Sequence, residues 1–184
     1  MKVVVAVDSF KGSMTSMEAG MAVKVGVLAA HKDAEVIVKP LADGGEGTTD
    51  ALIEGLNGER IDVTVTGPYH EPVNAYYGYL KDTNTAVMEM ASASGITISD
   101  QKDPMTATTF GVGEMILDAI GRGIRNFIIG IGGSATNDGG IGMLRALGFT
   151  FLDKDGNETG EGGQALAKVC LLYTSPSPRD TERS

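Results

Sequence analysis

At 184 residues the chain has the length of one domain or a pair of small ones, and its formal net charge of −9 makes it a poor partner for nucleic acid or an anionic membrane. The absence of tryptophan and an aromatic content of only 5% argue against stacking platforms for bases or sugars, and no apolar run reaches transmembrane length. The single cysteine, Cys170, excludes a disulfide framework and leads to the expectation of a cytoplasmic protein, while 26 glycines spread among apolar segments suit tight turns between strands and helices.

Val3–Val7 is a run of β-branched residues and alanine, apolar on both faces, which predicts a central parallel strand and not the apolar region of a signal peptide. It ends at Asp8, with Lys11 three residues on. In open α/β sheets ligands bind at the carboxyl ends of strands, where a lysine can hold a phosphate or an acidic substrate and an aspartate a metal; a solvated loop is the alternative. Thr15 and Glu18 fit a capping box. The helix that follows carries Met17, Met21, Val25 and Leu28 at helical spacing, a stripe expected to pack in the core.

A second strand is expected over Ala34–Val38, then Asp43-Gly44-Gly45-Glu46-Gly47 ahead of a helix over Ala51–Leu56. The acids suit helix capping, but three glycines interleaved with them are costly in a plain helix start. Close approach of a ligand or of another loop explains them better. Ile61–Thr66 alternates like a strand with one wet face, Gly67-Pro68 is a turn, and Val73–Leu80 with Thr85–Met90 reads as a hairpin. A domain boundary is expected here, with a first α/β segment over residues 1–68 and a second over 69–169. Glu89 interrupts an apolar strand, as a carboxylate bonded within the core or aimed into a cleft. Thr106, Thr108 and Thr109 precede a helix with Val112, Met115, Ile116, Ala119 and Ile120 on one face.

The stretch Asn126–Gly148 organises the rest. An apolar strand, Phe127–Ile131, breaks into Gly132, Gly133 and Ser134, then passes Thr136, Asn137 and Asp138 into a helical pattern. Backbone N–H groups at such a turn can hold a phosphate, and Asn137 and Asp138 add metal-capable oxygens. Phe149–Leu152 is another expected strand. From Cys170 the sequence has no helical or strand period and carries two Ser-Pro pairs. Residues 170–184 are expected to be disordered or non-native, because they look like a translated sequencing adapter read through at the end of a truncated assembly.

His31 and His70 have no obvious acid partner, and the G-x-S-x-G, H-E-x-x-H, C-x-x-C and Walker A patterns are absent. What remains is three glycine-rich turns bearing Asp8/Lys11, Asp43/Glu46 and Asn137/Asp138. If they converge at one sheet edge, they supply carboxylates for Mg2+, a base, a lysine and backbone donors, the inventory of phosphoryl transfer. Two rivals stand beside this reading. Gly130-Ile131-Gly132-Gly133-Ser134-Ala135 matches a dinucleotide fingerprint, with Asp153 about 20 residues beyond it as a ribose ligand, which would make the protein an NAD(P)-dependent oxidoreductase. A non-catalytic α/β binding module explains the glycines but not the acids beside them.

Six segments carry a family resemblance: DSFKGS (8–13), LADGGEGT (41–48), VTGP (65–68), AVMEMASASG (86–95), TATTFGVGE (106–114) and IGIGGSATNDGGIGMLRALG (129–148). Their order and spacing resemble the bacterial glycerate kinase family of glyoxylate and glucarate metabolism, continuously from Met1 to about Leu166. The resemblance implies phosphorylation of D-glycerate by ATP with Mg2+, at the 2-hydroxyl, on an α/β fold of doubly wound, mostly parallel Rossmann- or flavodoxin-like units with a second α/β domain and the active site in the cleft between. Carried onto this chain, it suggests that Gly132, Gly133 and Ser134 cradle a phosphate, with Asn137, Gly44, Gly45 and Glu46 alongside. Asp138 would be base or metal ligand, Lys11 would neutralise phosphate or the glycerate carboxylate, and Asp43 and Asp8 would support metal or substrate. Val7 stands where the family usually has proline. Family members are much longer, so the fold is expected to be incomplete at the C-terminus and the chain inactive alone.

Overall fold

β1 (Lys2–Val7) and β2 (Glu35–Pro40) pair in parallel, in register from Lys2 with Glu35 to Val7 with Pro40. The computed structural model that shows this describes residues 1–10 and 13–174. Between the two strands runs α1 (Ser16–Ala30), opened by the expected capping box: the Glu18 N–H donates to Thr15 Oγ1 and the Thr15 N–H to the Glu18 carboxylate. The helix buries Ser16, Ala19 and Gly20, and a Cβ on Gly20 would lie 2.4 Å from Val38 Cγ1. This corrects the expected packing stripe. The small residues face the sheet because they let the helix axis approach it, and Met21 and Val25 are left exposed.

A second sheet has the order β3 (Glu59–Thr66), β4 (Pro72–Leu80), β5 (Thr85–Glu89), β6 (Asn126–Gly130). The β4–β5 hairpin is antiparallel, as expected for Val73–Leu80 with Thr85–Met90, and β5–β6 is parallel. α2 (Thr48–Gly55) packs against β2 and β5 and reaches β4, where a Cβ on Gly78 would meet Ile53 at 2.7 Å. α3 (Met90–Ser94) follows β5; α4 (Phe110–Gly121) and α5 (Ile141–Ala146) pack together through Gly113 and Gly142. β7 (Phe149–Leu152) pairs antiparallel with β8 (Leu171–Thr174). The chain is thus mixed α/β, with parallel pairs at β1–β2 and β5–β6. No helix among the described residues is long and apolar enough to cross a membrane.

The chain divides into two compact units, but not at one boundary near residue 68. One comprises residues 1–61, 77–89 and 125–132; the other comprises 62–76, 90–124 and 133–184. The hairpin and β6 return the chain to the first unit, and sheet pairing between distant segments is invisible to a boundary read from local composition. The first unit buries Val5, Val36, Tyr77, Val87 and Met88; the second buries Ala93, Val112, Met115, Ile124 and Ile141. Of the two expectations for residues 170–184, disorder needs correction where it falls on described residues, since Leu171–Thr174 is a strand. Four residues are too few to reveal a period, and Leu171–Tyr173 stay exposed, so backbone pairing defines the element. Residues 175–184 lie outside the described residues.

Candidate active site

In the first unit three chain segments reach the same end of their strands. β1 and β2 are parallel, so Asp8 and the loop 41–47 both follow carboxyl ends, and the Leu41 N–H donates to the Val7 carbonyl at 2.9 Å. β6 brings Gly130–Gly132 against the same loop: the Gly132 N–H donates to the Gly44 carbonyl at 2.9 Å. A Cβ on Gly132 would stand 2.7 Å from Gly45 Cα, and one on Gly130 would stand 2.6 Å from the Gly44 carbonyl oxygen. These glycines are therefore required by one backbone passing another. Gly44 and Gly47 have φ of +91° and +90°, a region glycine enters without steric cost.

The loop is held from within and from behind. The Gly45 N–H donates to Asp43 Oδ1 at 3.0 Å, the Gly44 N–H to Thr48 Oγ1 at 3.1 Å, and the Thr48 hydroxyl to the Gly45 carbonyl at 2.7 Å. Glu89, at the end of β5, accepts from the N–H groups of Thr49 (2.6 Å) and Gly47 (3.3 Å). It is the core-bonded carboxylate of the two alternatives, capping the start of α2 from another strand. Burial pushes its pKa up, and the hydrogen bonds from Thr49 and Gly47 oppose that rise only in part. The side chains of Asp43 and Glu46 are exposed at the loop surface, and Asp8 is half-buried with its Oδ1 accepting from the Ser9 N–H at 2.6 Å. Lys11 lies outside the described residues.

After β6 the chain returns to the second unit at Gly133, whose φ is +73°. The loop after it is zipped to the end of α3: the Ile96 N–H donates to Gly133 O at 2.9 Å and the Ala135 N–H to Ser94 O at 2.8 Å. Ser134 Oγ accepts from the Thr136 N–H and lies 2.7 Å from Thr136 Oγ1, which leaves two hydroxyls side by side in the loop. Asn137 is exposed, but Asp138 is buried to 1%. Asp138 Oδ2 accepts from the Thr109 N–H (2.9 Å), the Thr109 hydroxyl (2.8 Å) and the Gly142 N–H (3.1 Å), and Oδ1 accepts from the Gly140 N–H (2.9 Å). Thr109 Oγ1 in turn accepts from the Met143 N–H at 2.9 Å. The carboxylate thereby ties the start of α4 to the start of α5.

The Asp43/Glu46 loop, Asp8 and Gly132 thus gather in one unit, and Gly133, Ser134, Asn137 and Asp138 belong to the other. For Mg2+, the donor chemistry fits Asp43 and Glu46, exposed carboxylates of the kind that share the ion with phosphate oxygens and waters. It does not fit Asp138, whose oxygens already accept four hydrogen bonds. Among the described residues no three His, Cys, Asp or Glu side chains gather as an all-protein metal cage would require.

Two features escaped the sequence. His70 has an acid partner after all, with Nε2 3.0 Å from Glu161 Oε2, beside a concavity of about 330 Å³ that also takes in Tyr69, Gln101, Thr106 and Gln164. His70 sits at φ +71°, a left-handed conformation that sequence does not announce for histidine. Thr109 is the other: it was expected only as one of a cluster ahead of a helix, and its partnership with Asp138 spans two helices.

The dinucleotide reading fails on geometry. Residues 131–140 form a loop, and α5 starts only at Ile141, so no helix N-terminus follows the glycines at the spacing the fingerprint requires. Asp153 closes its own turn by accepting from the N–H groups of Asp155 and Asn157, and β7 before it pairs with β8 and bridges Glu158.

The sequence matches the model of the glycerate kinase family over residues 3–182. It is 46% identical over 177 residues to a glycerate kinase of Bacillus subtilis (strain 168), covering 95% of this chain and 46% of that protein. It is 47% identical over 168 residues to a glycerate 2-kinase of Escherichia coli (strain K12), covering 90% and 44%. The crystal structure described as glycerate kinase 2 from Salmonella typhimurium LT2 superposes with a TM-score of 0.80 at 44% identity, covering 94% of this chain and 46% of that one. The chain spans about half the length of the curated relatives it matches. On sequence and fold alike, it belongs to the glycerate kinase family.

Proposed function

We propose that the protein carrying this chain is a cytoplasmic kinase that transfers the γ-phosphoryl group of ATP to the 2-hydroxyl of D-glycerate, giving 2-phosphoglycerate and ADP. The observation that carries the reading is the 46–47% identity to relatives named for this activity, one of them a glycerate 2-kinase, across nine-tenths or more of the chain. In the reaction the hydroxyl oxygen bonds to the γ-phosphorus, the bond to the β,γ-bridging oxygen breaks, and the hydroxyl proton leaves to a base. Phosphoryl transfer depends mainly on positioning and charge neutralisation, and the glycine-rich loops supply fixed backbone for that. Gly132, Gly133 and Ser134 are assigned to the phosphates, Asn137, Gly44 and Gly45 to substrate or phosphate binding, and Lys11 to an anionic group of either substrate.

Mg2+, when bound, would neutralise charge on the phosphates; Asp43 and Glu46 are the residues assigned to hold it, with Asp8 in support. Asp138 is reassigned from base or metal ligand to a positioning residue that holds the loop after β6 through α4 and α5. A thermal-shift comparison tests the nucleotide. Mg-ATP at a hundred times its Kd stabilises the native state by about 2.7 kcal/mol, and NAD leaves it unmoved; the reverse pattern rejects the proposal. Release of ADP dependent on D-glycerate, measured on the full product of the parent gene, tests the acceptor.

A further inference from the structure

The concavity beside His70 is assembled by three loops of the second unit, 67–71, 101–108 and 159–164. Hydrogen bonds pin the loops to one another. The Thr108 N–H donates to Pro68 O at 2.9 Å, the Asp103 N–H to Tyr69 Oη at 2.9 Å and the Gln164 N–H to Met105 O at 3.0 Å. Gly162, at φ +70°, sits where a Cβ would stand 2.4 Å from Met105 O, so the third loop closes tightly on the second. His70 holds a left-handed backbone, sparsely populated for a residue with a side chain, in a turn that its own N–H closes onto Gly67 O at 3.2 Å. Its ring meets Glu161 and so joins the first loop to the third. The walls are therefore held in place before any ligand arrives. None of the six lining residues, Tyr69, His70, Gln101, Thr106, Glu161 and Gln164, has a role in the proposed function.

The chemistry of the lining selects the ligand. It holds no lysine or arginine, and an anion entering it would face the Glu161 carboxylate. A cation would find that carboxylate already engaged, with Oε2 3.0 Å from His70 Nε2 and Oε1 3.9 Å from Arg145 Nη1. Hydroxyl groups suit the remainder, because a hydroxyl both donates and accepts. Tyr69 Oη accepts from the Asp103 N–H and keeps its own proton to donate, while the Thr106 hydroxyl donates to Asp103 Oδ2 at 2.9 Å and keeps a lone pair to accept. The side-chain amides of Gln101 and Gln164 offer both functions and make no hydrogen bond among the described residues. Glu161 retains lone pairs for a donor. We propose that this concavity is a binding site for a small uncharged polyol, a sugar or sugar alcohol, held by hydrogen bonds and not by stacking. Its volume of about 330 Å³ lies at the small end of ligand pockets and has room for a single monosaccharide. The site goes beyond the kinase reading and does not depend on it.

An NMR titration of the isotopically labelled chain tests this. The side-chain amide signals of Gln101 and Gln164 and the backbone amide signal of His70 are followed as D-ribose or xylitol is added, and in parallel as D-glycerate, inorganic phosphate or putrescine is added. The expected result is that a neutral polyol moves all of these signals along one saturating curve with a Kd of about 1–10 mM, and that the charged probes leave them in place. Glu161→Gln keeps the size of the side chain and removes its charge, and should weaken binding by about tenfold or more. Gln101 is exposed, so Gln101→Ala should leave the circular dichroism unchanged and weaken binding by about threefold or more. The proposal is overturned if neither polyol saturates the signals below about 100 mM. It is also overturned if D-glycerate, phosphate or putrescine saturates them instead, which would make this a site for a charged ligand, or if both variants bind the polyol as tightly as the parent. None of the readouts involves nucleotide, so failure here leaves the kinase reading untouched.

Discussion

Removing the Asp138 carboxylate would strand the N–H groups of Thr109, Gly140 and Gly142 and the Thr109 hydroxyl, three of these four in buried surroundings. Each buried donor left without a partner costs about 1–3 kcal/mol, so Asp138→Ala should lose about 3 kcal/mol or more in urea denaturation, with Asp138→Asn intermediate. A base exposed to substrate would behave differently, losing turnover with little loss of stability. Glu89 makes a pH-dependent contribution of the opposite kind to a salt-bridged acid. Its folded-state pKa is raised above the ordinary 4.5 by burial, so the native state holds the proton more tightly than the unfolded chain. The stability contributed is full below pH 4.5 and is lost as pH rises through the folded value. Denaturation midpoints followed upward from about pH 4 should show that decline in the parent and a weaker one in Glu89→Gln.

Among the elements, glycine decides how closely backbones approach. Gly132→Ala would place a Cβ 2.7 Å from Gly45 Cα, and Gly142→Ala one 2.2 Å from Thr108 Oγ1 and 2.7 Å from the Phe110 nitrogen. Neither neighbour is the far end of a flexible side chain, so both substitutions should destabilise by about 1–3 kcal/mol through displaced backbone, measured as a fall in Tm. The Gly132 variant should also lower affinity for Mg-ATP under the proposed function, by shifting the loop that holds Asp43. Thr15→Ala, remote from that loop, should cost about 1 kcal/mol through loss of the capping box and leave nucleotide binding unchanged. α1 shows why a sequence stripe misleads. Helical spacing found the apolar residues, but which face meets the sheet was set by Ala19 and Gly20, whose small size lets the helix sit close to Val38.

For the whole molecule, the units interleave along the chain, so neither can be excised as a continuous segment. Catalysis by phosphoryl transfer depends on holding two substrates in register, and small misplacements cost about a hundredfold. Under the proposed function, the 184-residue chain alone should therefore release ADP at least about a hundred times more slowly than the full-length Bacillus subtilis relative, in an assay coupled to ADP. Comparable rates would show that the segment this chain matches is sufficient for turnover.

What the sequence determined by itself was whatever short-range chemistry encodes. The β4–β5 hairpin followed from two strand-like runs around a polar turn, the start of α1 from Thr15 and Glu18 three residues apart, and the family from six motifs in order. The glycines at 44 and 45 could be recognised as marks of close approach, but their partners, Gly130 and Gly132, lay far along the chain, and only folding brought them together. Tertiary structure likewise decided the fate of the carboxylates. Asp43, Glu46 and Asp138 are alike in sequence, each an acid among glycines. Two project from a loop surface, and the third is enclosed by the ends of two helices whose N–H groups it satisfies. Solvent exposure is a property of the packed chain, and it separates carboxylates at a loop surface from one enclosed by the fold.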